Sequence, residues 1–153
     1  MSKKDLANNL AVTQLLDPAT LTATANSNGL DTQFDNGAMI IVNTGESGDT
    51  LSSTVKWDYI LQDSSDNSTF TAVTDTKRVT YGTVDSSGIF ATVDAASEDD
   101  AAYVIGYVGP ERYVRVAVTK TGTHTNGTPH GVVGLTAPIH KPASGGNDGS
   151  PTG

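Results

Sequence analysis

The chain has 153 residues, no cysteine and a formal charge of −8, which excludes disulfides and thiolate metal sites. So acidic a chain gains nothing by releasing counterions from phosphates, so no nucleic-acid partner is expected. Its length suits one domain burying roughly 68–70% of the surface its unfolded form exposes.

Basic residues are scattered, the adjacent pairs being Lys3-Lys4 and Lys77-Arg78. The opening Met1-Ser2-Lys3-Lys4-Asp5 leads into no apolar stretch, so no secretory leader is expected. The longest apolar run, Ala38–Val42, is far short of the ~20 residues that span a bilayer. A soluble protein made in the cytosol, with no membrane partner, is the expectation.

Asp5–Leu16 carries Leu6, Leu10, Val12, Leu15 and Leu16, an imperfect helical pattern stopped by Pro18. Residues 1–19 therefore read as a short helix or an extended arm. Thr20–Asn26 reads as a first strand before the Asn28-Gly29 turn. Gly37–Asn43 is continuously apolar at its centre, which predicts a central strand covered on both faces. Thr54–Gln62 alternates, with Val55, Trp57, Tyr59 and Leu61 on one face; a period of two sends that set to the core. Asp63–Ser68 is a turn, because these side chains bond their own backbone, and Phe70–Val73 returns as a short strand. Val79–Tyr81 and Ile89–Val93 flank the loop Asp85–Gly88, and Glu98-Asp99-Asp100 forms an exposed acidic corner. Ala102–Val108 and Arg112–Thr121, three residues apart, predict a tight antiparallel hairpin. In its second strand Val114, Val116 and Val118 face the core. Gly131–Leu135 is a last strand, and the Gly/Pro/Ser-rich segment 142–153 has too little apolar surface to order itself. The sum is an all-β fold: a single antiparallel β-sandwich, jelly-roll or immunoglobulin-like, over 20–141, between the arm and a flexible C-terminal tail.

Candidate chemistry is sparse. There is no Gly-x-Ser-x-Gly elbow, and His124, His130 and His140 fall in Gly/Thr/Pro-rich sequence where a loop would hold them poorly. Their spacings match no usual zinc pattern; a ring of His130 residues on the axis of a symmetric trimer is the one metal arrangement they suggest. Asp63–Thr69 is faintly like a calcium loop but has Ser68 and Thr74 where glycine and the acidic last ligand belong. Asn67-Ser68-Thr69 and Asn126-Gly127-Thr128 are formal sequons. No catalytic residue, cofactor or metal ligand is expected. Tyr107, Arg112, Tyr113 and Arg115 are the interface candidates, since arginine and tyrosine concentrate at binding hot spots.

Three segments resemble the head decoration, or cement, proteins of tailed bacteriophages. They are Leu30–Asp35 before the apolar strand; Trp57–Ser64 followed by Asp66, Ser68, Phe70 and Val73; and Ile105–Val116, with its Gly109-Pro110-Glu111-Arg112-Tyr113-Val114-Arg115-Val116 core. The resemblance spans roughly residues 20–136. It implies a non-enzymatic virion structural protein on the outer surface of a capsid, synthesised in the host cytoplasm. Such a subunit would stabilise the shell by binding the major capsid protein and its own copies, a homotrimer being favoured by three-fold lattice sites. A neck or tail connector and a carbohydrate-binding adhesin module are the alternatives.

Overall fold

The computed structural model describes residues 6–33 and 35–138. Their regular structure is β: β1 (Ala11–Leu21), β2 (Ala25–Asn26), β3 (Leu30–Asp31), β4 (Asp35–Thr44), β5 (Lys56–Ser64), β6 (Thr71–Ala72), β7 (Ile89–Val93), β8 (Ala101–Tyr107), β9 (Tyr113–Thr121) and β10 (Thr128–Pro138), with two single 3-10 turns at Ala7–Asn9 and Thr76–Arg78. Two antiparallel sheets pack face to face. One has the order β1-β10-β4-β8; in the other β9 and β5 are central, with β2 and β3 on the outer edge of β9 and β7 and β6 on the outer edge of β5.

Alternation decides what each strand buries. On β5, Trp57, Tyr59 and Leu61 are fully buried, as are Val114, Val116 and Val118 on β9. From the facing sheet Ile40, Val42, Ile105 and Val132 meet them. Each large side chain so enclosed contributes roughly 1.5–3 kcal/mol, which makes this double stripe the main cohesive element. Val55 departs from the expected core set. It is only half-buried, because Ser52 and Val55 close a turn ahead of β5 and take it off the strand's alternation.

Four sequence expectations change. Residues 11–19 are neither helix nor free arm: β1 pairs along β10 from Ala11↔Thr136 to Leu21↔Thr128, so the sandwich begins near residue 11. Its register breaks around Leu16, and Pro18 is tolerated there because an edge strand needs no second hydrogen-bond partner. The expected strand Thr20–Asn26 is split, its first part ending β1 and its last two residues joining β9 in the other sheet. Val79–Tyr81 is not a strand. It covers the free edge of β8 irregularly, with Val79 bridging Tyr107 and the Thr80 amide bonded to the Gly106 carbonyl.

The fourth change is topological. β8 and β9 form no hairpin; β8 pairs with β4, β9 pairs with β5, and residues 108–112 carry the chain from one sheet to the other. That connection bends over the Tyr107 ring, whose hydroxyl accepts the Glu111 amide at 3.2 Å. Gly109 is needed for the bend, since a Cβ there would lie 2.5 Å from the same hydroxyl. The proposed tail 142–153 and His140 lie outside the described residues.

Candidate functional site: an apolar outer face and a buried polar cluster

β4 is central in its sheet but not covered on both faces. Ala38, Ile40, Val42 and Thr44 point inward, while Met39 (38% exposed), Ile41 and Asn43 point outward. The pairing registers place one outward row as Val12–Leu135–Met39–Gly106 and the next as Gln14–Val133–Ile41–Val104. Neither row contains a charged residue, on a chain with 26 of them (9 basic and 17 acidic). Thr80 and Tyr81 close the face over Gly106, where a Cβ would meet the Thr80 hydroxyl at 2.3 Å. Beside them a shallow groove of about 310 Å³ is walled by Leu10, Met39, Tyr81, Val108 and Leu135. Val12, Tyr81 and Val108 are the most exposed of these apolar groups.

The four interface candidates are engaged within the chain. Tyr107 is buried, and its hydroxyl donates to Asp63 Oδ2 at 2.7 Å. The Arg78 guanidinium bonds the same oxygen at 2.8 Å, closing that end of the sandwich around a buried carboxylate. Arg112 forms a two-pronged pair with Asp31 (3.0 and 2.7 Å) and lies over the Tyr113 ring. Its bond holds the Asp31 carboxyl below the usual carboxylate range. Arg115 sits 4.0 Å over the Phe70 ring and bonds Gln62. Arg112 remains exposed and Tyr113 and Arg115 half-buried, so these three could still touch a partner; Tyr107 could not.

The histidines are the larger departure. His124 and His130 are not loosely held loop residues but are 4% and 1% exposed. Both rings contact Trp57, at centroid distances of 4.4 and 4.7 Å. Trp57 Nε1 donates to Thr128 Oγ1, which in turn donates to Ser47 Oγ. His130 Nδ1 lies 3.0 Å from the Thr128 carbonyl, and Nε2 lies 2.9 Å from the Tyr59 hydroxyl, itself 2.6 Å from Thr44 Oγ1. A carbonyl only accepts, so Nδ1 carries the hydrogen and bare Nε2 accepts from Tyr59. Burial pushes the His130 imidazole down to about 4 and the Tyr59 phenol above its ordinary range.

His124 Nε2 faces the carbonyls of Lys56 and Thr121. Its Nδ1 has no hydrogen-bond partner and lies 3.8 Å from Asp49 Oδ2. That carboxylate is already occupied by the amides of Thr125, Asn126 and Gly127, which hold its pKa low. A nucleophile–base pair would need a serine or threonine hydroxyl on an imidazole nitrogen with an open approach. Here the His130 nitrogens meet a phenol and a carbonyl, and the His124 nitrogens meet two carbonyls and an occupied carboxylate. Among the described residues no three His, Cys, Asp or Glu side chains converge to hold a metal.

The turn expected over Asp63–Ser68 forms two residues later, over 65–69, because β5 runs on to Ser64. Asp66 accepts from Ser64 and from the amides of Ser68 and Thr69, and Asn67 adopts a left-handed φ of 58°. Asp63 turns inward instead, to Tyr107 and Arg78. The acidic corner is likewise tied down in part: Asp99 accepts the Ser47 amide and Glu98 that of Asp94.

Sequence reading missed the outer face because a continuous apolar run looks the same whether one face or both are covered. Its signal lay in the alternate residues Met39 and Ile41, taken together with the glycine, valine and leucine of β10. Compared with known protein families and with curated proteins, the chain matches none.

Proposed function

We propose that this chain is a non-enzymatic structural subunit that works by adhesion, and that it decorates the outer surface of a phage capsid. It would dock on the major capsid protein and on its own copies as a homotrimer. The observation that carries the adhesive reading is the pair of charge-free outward rows across β1-β10-β4-β8, bearing Val12, Met39, Ile41, Val133 and Leu135. The virion setting rests on the resemblance in residues 20–136, and reading the sandwich as jelly-roll or immunoglobulin-like belongs to the same proposal.

Magnitude favours many weak contacts over one strong one. Four strands ~4.8 Å apart bearing two outward rows present an apolar area on the order of 300 Å², against the ~800 Å² each partner gives to a standard interface. A single copy would hold weakly, whereas an oligomer touching several sites would hold by effective concentration. A carbohydrate-binding role has less support, because Trp57, the chain's one tryptophan, is fully buried.

The test is particle binding by the double variant Met39→Glu, Val12→Glu, both outward positions. Wild-type protein is expected to load in hundreds of copies and to raise the temperature of DNA release; the variant should fold but fail to load. Tens of copies confined to the neck or tail would replace decoration by a connector role. Loading unaffected by the two glutamates would remove the outer face from the proposal.

A further inference from the structure

The hydrogen bonds around Trp57 and Tyr59 do more than fill the core, because they run between sheets. Trp57 and Tyr59 belong to β5; Thr44 belongs to β4 and Thr128 and His130 to β10, in the opposite sheet. The bonds Trp57–Thr128, Tyr59–Thr44 and Tyr59–His130 therefore fasten one end of the sandwich, where the loops 45–50 and 122–127 meet. The other end is fastened by Tyr107 of β8 and Arg78 on Asp63 of β5. We propose that the Trp57–Tyr59–His130 cluster is an acid-operated latch: a proton on His130 releases this end of the sandwich while the Asp63–Tyr107 end stays closed.

Hydrogen bonding alone does not bar that proton. If Nε2 became a donor, the Tyr59 and Thr44 hydroxyls could both reverse and still pair. The obstacle is an imidazolium in a site closed to water with no anion to meet it. Tyr59 faces Nε2 from β5, and Tyr103 of β8 lies beyond Tyr59, ring to ring at 5.5 Å. His124, from the 122–127 loop, shares the Trp57 ring and opposes a second positive charge. Asp49, from the 45–50 loop, faces His124 and is held by three amides. Asp99 is held by the Ser47 amide. Lys56 and Asp58 pair with each other at 3.3 Å, Asp58 alternating to the outward face of β5. No carboxylate is left to receive a charged His130, so the proton is accommodated by opening.

Geometry also sets the direction of the signal. Opening would return His130 to solvent and its ordinary basicity, so acid favours the open form. From pH 7 to 4.5 the linkage amounts to roughly a 60-fold rise in the open population. This inference is independent of what the outer face binds.

The experiment is an imidazole nitrogen NMR titration of the intact chain, combined with amide exchange at pH 7 and 4.5 corrected for intrinsic rates. At pH 7 His130 is expected as the neutral Nδ1–H tautomer, still neutral at pH 5. At pH 4.5 amides of residues 43–45, 128 and 130–132 should lose protection by the stated factor, while those of 61–64 and 105–107 keep theirs. Trp57 fluorescence should change in step. His130→Gln, whose amide can donate and accept but not charge, should abolish the local response. The latch would be overturned by His130 titrating in the ordinary imidazole range, by equal loss of protection at both ends, or by an unchanged acid response in His130→Gln. Because the titration is read on the unaltered protein, a misfolded variant would not spare the proposal.

Discussion

Tyr59 places one hydroxyl in the middle of an apolar core, and both its partners depend on it. Tyr59→Phe keeps the ring and its contacts but leaves His130 Nε2 and Thr44 Oγ1 unpaired where water does not reach. The expected cost is about 1–3 kcal/mol, seen as a lower urea midpoint with an unchanged slope. His130 itself makes stability depend on pH. Its folded pKa, about 4, lies below the ordinary 6.5, so the unfolded chain binds the proton better. The stabilisation is complete above pH 6.5, falls as pH drops through that window, and is lost by pH 4, in total about 3 kcal/mol. Chemical denaturation at pH 7, 5.5 and 4 should trace that decline, and His130→Gln should flatten it. At this scale the inward set Trp57, Tyr59 and Leu61 was legible in the sequence, because period-two alternation is a local signal. The burial of His124 and His130 was not. Trp57 meets Thr128, and Tyr59 meets His130, 71 positions along the chain, and composition near the histidines suggested only a loop.

Edge strand β1 shows how one element divides between core and surface. Leu15 is 2% exposed and packs where Gly134 leaves room, whereas Val12 is 68% exposed. Leu15→Ala should therefore cost about 2–5 kcal/mol, and Val12→Ala should change stability by less than about 0.5 kcal/mol; thermal melts of the two variants check the contrast. The segment's leucines mimicked a helical stripe in sequence, yet only an extended strand puts Leu15 inside while filling the outer edge of β10. Short strands with obvious turns, such as β5 to β6 and β7, were read correctly for their turn chemistry. The β8–β9 connection was not, since a three-residue Gly-Pro-Glu link serves a hairpin and a sheet-to-sheet bend equally well. What distinguishes them is the Tyr107 ring beneath Gly109, a contact set by β5 through Asp63.

Over the whole molecule, a charge of −8 coexists with two outward rows of one sheet that carry none of it. Like-charged copies repel at long range, and salt screens that repulsion without weakening apolar contact. Self-association of this protein is therefore expected to strengthen as salt is raised from low to moderate ionic strength, measured by sedimentation. Weakening with salt would point to ion pairs such as those of Arg112 as the contact instead. The two-sheet class was legible at this scale from strand count and turn spacing. Which surface stays bare was not, because it depends on how β1, β4, β8 and β10 are ordered.

That order has a consequence for how the protein is made. β10 lies between β1 and β4, pairing Thr136 with Ala11 on one side and Ala38 on the other. During synthesis β1 and β4 leave the ribosome long before the strand that must sit between them. They wait with unsatisfied edges and an incomplete interior, in a topology of long-range pairings that folds slowly. The other sheet can assemble from residues 25–121 meanwhile, so a nascent chain stalled just before residue 128 should display half of the sandwich and be unusually prone to capture by chaperones.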